Sequence, residues 1–168
     1  MKFKVILQQE GPRGTIYSLI EQNSDASEIE KAFEEYAEFR GEEHLEELQL
    51  VLWEMCKKFG FRIQRFRDEN LTGKEGVYAL GNTGDYRFYL YHDATERIML
   101  TGGGVKKVKR FQDDPKLNFV VNYLYSISKL LWENRELSLK GLCERGITIE
   151  VDWTGVITNE HEILEGME

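Results

Sequence analysis

Four cationic side chains fall within five positions at Lys106, Lys107, Lys109 and Arg110, just after the triple glycine Gly102-Gly103-Gly104. Cations at that density, on a backbone that glycine allows to approach a ligand closely, are suited to holding the phosphates of an anionic polymer. Upstream lies a strand-like segment that alternates Tyr86, Phe88 and Leu90 on one side with Arg87, Tyr89 and Tyr91 on the other. A planar guanidinium such as that of Arg87 can engage two phosphate oxygens at once. His92 ends the strand, and an imidazole, with an unperturbed pKa of about 6.5, can take and return a proton at neutral pH. Each feature also has a bland reading: a solvated strand face, a structural histidine at a strand-to-turn junction, lysines flanking a helix. Spacing alone leaves both readings open.

Other chemistries find little support. GGGVKK lacks the G-x-x-x-x-G-K-[ST] frame of a nucleotide-wrapping loop, and no G-x-G-x-x-G is present. No serine sits in a G-x-S-x-G elbow. His161-Glu162 lacks the second histidine of a zinc-protease helix. Cys56 and Cys143 lie far apart, without metal or redox spacing. A reduced, cytoplasmic protein without metal or cofactor is therefore expected. His44, within a Glu-rich helical stretch, is expected to face solvent.

These residues need elements to position them. Phe3–Leu7 reads as a first strand rather than a leader peptide, ended by the Gly11-Pro12-Arg13-Gly14 turn. Thr15–Glu21 fits strand or helix. Ser27 and Glu30 form a capping box for a helix running to Arg40 and stopped by Gly41. Leu45, Leu48, Leu52, Met55 and Phe59 then give a one-sided apolar stripe that Gly60 ends, which completes a helical hairpin. Beyond Gly60 the period changes to short strands: Phe61–Phe66, Val77–Leu80, Asp85–Tyr91 and Arg97–Leu100. A turn at 81–84 and another at 92–95 separate the later ones. Asp113-Asp114-Pro115 signals a helix start, with an apolar face from Leu117 to Leu131. A short helix near Leu137–Cys143, a strand at Ile147–Trp153 and a frayed acidic end complete the chain. The pattern predicts an α+β fold: an antiparallel meander sheet packed against a helical hairpin and a C-terminal helix, with Arg87, Tyr89 and Tyr91 on the uncovered face. Residues 1–132 form the main domain; 133–168 form an extension packed on it.

With 168 residues, the chain is long enough for one domain with a substantial core. No apolar run approaches the roughly 20 residues of a membrane span. The net charge of −8 is unevenly spread. Residues 21–56 carry twelve acids against two bases, whereas residues 57–110 carry twelve bases against six acids. Local field governs association more than total charge does, so an anionic partner remains compatible with an acidic whole.

The order of parts resembles the RelE/HigB-type toxins of bacterial toxin–antitoxin systems. The likeness rests on Asp85-Tyr86-Arg87-Phe88-Tyr89, Arg97-Ile98-Met99-Leu100, and Gly103-Gly104-Val105-Lys106-Lys107 running to Asp114-Pro115. At motif level it covers residues 77–116. The resemblance implies a RelE-like fold and metal-free mRNA cleavage, in which a ribose 2′-OH attacks the neighbouring phosphate. It implies mRNA, on or off the ribosome, and a cognate antitoxin as partners. On this likeness Arg87 stabilises the pentavalent phosphate, and Lys106 and Lys107 hold flanking phosphates or the leaving group. His92 is added as acid/base, giving Arg87, His92 and Lys107 as catalytic candidates. Arg65, Tyr89, Tyr91, Lys106, Lys109 and Arg110 are RNA-binding candidates, the tyrosines by base stacking. The chain departs from the family in its acidity, its length and its lack of a basic C-terminal tail. The alternative is a non-catalytic protein-interaction module that works through its acidic helical face.

Overall fold

A computed structural model describes residues 1–68, 74, 76–94 and 96–168. Among these the chain forms seven strands and five α-helices in an α+β arrangement. Strands β1 (Lys2–Gly11) and β2 (Gly14–Glu21) form an antiparallel hairpin. Helices α1 (Glu28–Arg40) and α2 (Glu42–Glu54) follow, then a single π-helical turn at Met55–Phe59. The capping box closes as expected: Ser27 Oγ accepts from the Glu30 N–H at 3.2 Å, and Glu30 Oε1 accepts from the Ser27 N–H at 3.3 Å. Gly41 and Gly60 end the two helical segments with positive φ of 103° and 72°.

The remaining strands are β3 (Phe66–Arg67), β4 (Val77–Leu80), β5 (Tyr86–Ala94) and β6 (Arg97–Val105). Helix α3 (Pro115–Glu133) starts at the Asp114 cap, whose carboxylate accepts from the Lys116 and Leu117 N–H groups. Then come α4 (Leu139–Glu144), β7 (Thr148–Glu150) and α5 (Glu160–Gly166). The predicted turn at 92–95 is strand as far as Ala94, and Thr95 lies outside the described residues. The expected frayed end is instead a short helix, held by buried Ile163.

The sheet order is β3-β4-β5-β6-β2-β1-β7. Every pairing is antiparallel except β2 with β6, which run parallel from Thr15↔Arg97 to Tyr17↔Met99. A simple meander is therefore corrected to a mixed sheet, in which the hairpin crossover returns the chain beside β2. The extension is continuous with the rest: β7 pairs with β1, and Leu139, Leu142 and Ile163 join the core beneath α3.

Both faces of the sheet are covered. Ile29, Ala32, Tyr36, Leu48 and Leu52 of the hairpin pack on Ile16, Phe88, Leu90, Ile98 and Leu100. On the other side, Leu117, Val121, Leu124 and Ile127 of α3 pack on Val5, Leu19, Tyr89, Tyr91 and Met99. The open face expected beside Arg87 does not exist, because the broad apolar stripe of α3 needs a surface and takes that one.

The glycine run is not a free loop but part of β6. Gly102 lets α1 approach: a Cβ there would lie 2.5 Å from Ala32 Cβ. Gly103 is the extra residue of a bulge between the Arg87↔Gly104 and Phe88↔Gly102 pairs. Only Gly104 of the three takes a positive φ, 130°.

Burial also sets a pH limit. It raises the hydroxyls of Tyr86, Tyr91 and Tyr123 above their ordinary 10.0 and pushes the Cys56 thiol from 9.0 up to about 11. Unfolding lets these groups ionise near their ordinary values, so in alkali the folded state holds more protons than the unfolded one. Stability is then complete below about pH 9 and falls as pH rises toward 11. Urea midpoints should drop between about pH 8 and pH 10.5; equal midpoints would contradict this protonation difference.

Candidate nucleic-acid interface

The basic residues converge on one structural feature, the turn at 81–85 between β4 and β5. Arg40, at the end of α1, donates from Nη1 to Asn82 O at 3.4 Å and to Tyr36 Oη at 2.9 Å. From the opposite face of the sheet, Arg87 Nη1 donates to Gly84 O. The Gly81 N–H donates to Arg65 O at 3.3 Å, and the Lys106 N–H donates to Asp85 O at 2.7 Å. Four cationic residues from separate parts of the chain thus touch the turn at Gly81, Asn82, Gly84 and Asp85, Arg40 and Arg87 by their side chains and Arg65 and Lys106 by their backbone. Gly84, with φ of 63°, and Asn82, with φ of 62°, give the turn its tight shape.

On the hairpin side of this turn lies a cavity of about 840 Å³. The end of α1 contributes Tyr36 and Arg40, and α2 contributes His44, Glu47, Leu48 and Val51. The β3 edge closes it with Gln64, Arg65 and Arg67. Three arginines and one glutamate therefore line it, together with Leu48, Val51, Met55 and Leu80. Arg65 stacks 5.6 Å over the Phe59 ring, and Arg40 lies 5.8 Å from the Tyr36 centroid, so both are oriented by aromatic faces.

On the other side, residues 106–110 follow β6 without entering a helix or strand. Buried Phe111 and the Asp114 cap anchor the segment's far end. Lys107, Lys109 and Arg110 are exposed, and Lys106 is half-buried. The cavity adjoins the turn and the basic segment begins beside it at Lys106, and the cations of both are together called the basic arc.

The sequence-derived candidates divide accordingly. Arg65, Lys106, Lys107, Lys109 and Arg110 belong to the arc. Arg87 touches the same turn but is only 7% exposed, so its guanidinium holds Gly84 rather than facing solvent. Tyr89 is fully buried and Tyr91 nearly so, both beneath α3. A base cannot stack on either without displacing that helix. Tyr91 Oη instead donates to Asp93 Oδ1 at 3.1 Å, and Asp93 Oδ2 pairs with Arg97 Nε at 3.2 Å.

His92 does not meet Arg87. Five extended residues separate them, roughly 17 Å along β5, and an odd separation puts them on opposite faces. The imidazole packs edge-on to Phe66 with centroids 5.8 Å apart, and burial holds its pKa below the ordinary 6.5. Its Nε2 is buried and finds no hydrogen-bond partner among the described residues. The trio Arg87, His92 and Lys107 is therefore not assembled at one point.

Sequence reasoning missed Arg40, Arg67 and His44. Arg40 reads as the last residue of a helix, and nothing in a single chain tells which turn it will reach. His44 does lie on a Glu-rich helix, yet it turns toward the cavity, three residues before Glu47 and four before Leu48 on the same face. That i, i+4 relation to a stripe leucine was the available signal. Among the described residues, no group of three or more His, Cys, Asp or Glu side chains could hold a metal ion, and no helix is long and apolar enough to cross a membrane. No family model, curated protein or solved structure matches this chain.

Proposed function

We propose that this protein is an RNA-binding ribonuclease of the RelE/HigB toxin kind, which cleaves mRNA without a metal and is neutralised by an antitoxin. The observation that carries this reading is the cationic arc: Arg40, Arg65 and Arg67 on one side of the 81–85 turn, Lys106 to Arg110 on the other. A single strand crossing the turn meets cations on both sides, as phosphate binding requires. The order of a strand hairpin, a helical hairpin and a following set of strands and a helix supports the RelE-like reading. In-line attack of a 2′-OH on its neighbouring phosphorus releases a 5′-hydroxyl and leaves a 2′,3′-cyclic phosphate. Arginines of the cavity offset the charge of the phosphorane, and His44 replaces His92 as the group that moves the proton. Arg87 positions the turn.

Induced expression of the wild-type chain should arrest bacterial growth and fragment mRNA. The triple variant Arg65→Gln, Lys106→Gln, Lys107→Gln should grow at the uninduced rate. Normal growth with wild type, together with intact free and ribosome-bound message, would sink the enzymatic reading.

A second reading is favoured by one observation: exposed Phe39, Leu50 and Trp53 on the hairpin, beside exposed Glu34, Glu38, Glu42 and Glu46. Exposed apolar side chains on an acidic helical hairpin suit a basic partner protein. Reversing those four glutamates to lysine then abolishes partner capture, while it leaves RNA cleavage unchanged.

A further inference from the structure

Beyond α2 the surface changes character within a few residues. From Lys57 to Arg65 the sequence holds four cations, Lys57, Lys58, Arg62 and Arg65, and no acid. All four are exposed, and so are Phe59 at 43% and Ile63 at 53%. Single exposed apolar residues are ordinary, but here two share one short segment with four positive charges. The segment is fastened from beneath: Cys56, Phe61 and Phe66 are buried before, within and after it. The Gly60 N–H donates to Met55 O at 2.8 Å, which closes the π-helical turn, and Ile63–Arg65 forms a 3-10 turn. Arg65 stacks on Phe59, and Lys58 Nζ lies 5.8 Å from the Trp53 centroid, so cations and rings occupy one surface. The β1–β2 turn adds exposed Arg13, whose N–H donates to Cys56 O at 2.8 Å. The acids of the hairpin stand apart. Helix α2 is 13 residues long, so Glu42 and Glu43 in its first turn lie roughly 18 Å from the π turn. Salt screens exposed charges over about 8 Å, which leaves the local field positive.

We propose that the 57–65 segment docks the protein on an anionic lipid bilayer. Lys57, Lys58, Arg62 and Arg65 lie against headgroup phosphates, while Phe59 and Ile63 enter the boundary between headgroups and acyl chains. A nucleic acid would engage the cations and could stack on Phe59, but it gives the aliphatic Ile63 no partner. A bilayer engages both kinds of side chain. Docking of this kind is peripheral and needs no spanning helix. It stands apart from the ribonuclease reading, because Lys57, Lys58, Phe59, Arg62 and Ile63 take no part in the basic arc.

Flotation of the full chain with unilamellar vesicles tests the proposal, using phosphatidylcholine alone and phosphatidylcholine with roughly 30% phosphatidylglycerol. Binding to the anionic vesicles should be at least about tenfold stronger than to the neutral ones, and should fall as salt rises from about 50 to about 300 mM. Lys57→Glu, Lys58→Glu and Arg62→Glu together should weaken it at least about tenfold. Phe59→Ser with Ile63→Ser, which keeps every cation, should weaken it at least about fivefold while the circular dichroism spectrum is retained. Trp153→Ser, at a position 87% exposed but outside the segment, should bind as wild type does. Equal binding to both vesicle types, no binding to either, or a Trp153→Ser loss as large as that of the Phe59/Ile63 variant would overturn the docking surface. Loss in the charge variant without loss in the apolar one would reduce it to general electrostatic attraction and overturn it as well. Single-stranded RNA binding that both variants lose, with no vesicle bound, would assign the segment to nucleic acid instead. Vesicle binding without growth arrest or cleavage would leave the surface standing and remove the ribonuclease reading alone.

Discussion

Alanine at Lys106, Lys107, Lys109 and Arg110 together is expected to weaken single-stranded RNA binding by about 10²-fold or more at moderate salt. Each phosphate contact on a single strand contributes about 0.7 to the slope of log affinity against log salt, so removing four should flatten that slope by roughly 3. The effect should appear across sequences, as expected of cations that engage phosphates rather than base edges. The variant should stay folded: the segment lies outside every helix and strand, and its anchors are Phe111 and Asp114, which are untouched. Fluorescence anisotropy with a labelled oligonucleotide at several salt concentrations provides both numbers. An unchanged slope would place the RNA contacts elsewhere on the molecule.

Gly102→Ala is expected to cost about 2–3 kcal/mol of stability, a large loss for the addition of one methyl group. The added Cβ would sit 2.5 Å from Ala32 Cβ and 3.5 Å from both the Ala32 Cα and the Glu28 carbonyl oxygen. None of these atoms belongs to a flexible side-chain end, so α1 has to move off the sheet. For a domain of this length, that loss lowers Tm by roughly 5–10 °C. Ala32→Gly should rescue part of it. Ala32→Gly alone costs about 1 kcal/mol of helix propensity, yet the double variant should be less destabilised than the sum of the two single ones. Strict additivity in urea unfolding would mean that the two residues do not meet.

Local structure was readable in the chain wherever one residue type has one physical reason to be present. The capping pair Ser27 and Glu30, the breakers Gly41 and Gly60, and the Asp114-Pro115 start all act within a few residues, and all fall where expected. Thr15–Glu21 stayed ambiguous because only one of its two partners, β1, is local, while the other, β6, lies about 80 residues away in sequence. The covered second face was harder still. Arg87, Tyr89 and Tyr91 read as a polar face, but two of the three are large aromatic rings that favour burial once α3 offers its stripe. Gly102 to Gly104 read as a ligand loop, although two of the three glycines serve close packing within β6.

The candidate site was legible by charge and hidden by topology. The excess of bases between residues 57 and 110 pointed to the segment that holds the candidate cations, and Arg65, Arg67, Lys107, Lys109 and Arg110 are exposed there. What no local pattern carries is the convergence on the 81–85 turn, where Arg40 arrives from a helix 42 positions before Asn82. His92 illustrates the converse. A suitable side chain next to a suitable arginine in sequence is separated from it by the two-residue period of a strand.

Ultraviolet crosslinking of a uridine-rich oligonucleotide to the full chain, followed by mass mapping of the adducts, addresses the basic arc most directly. Adducts should concentrate in the peptides holding Arg65–Arg67 and Lys106–Arg110, on both sides of the β4–β5 turn. Adducts confined to the acidic hairpin at 28–54, or to the far edge around β7, would mean that the arc does not hold RNA.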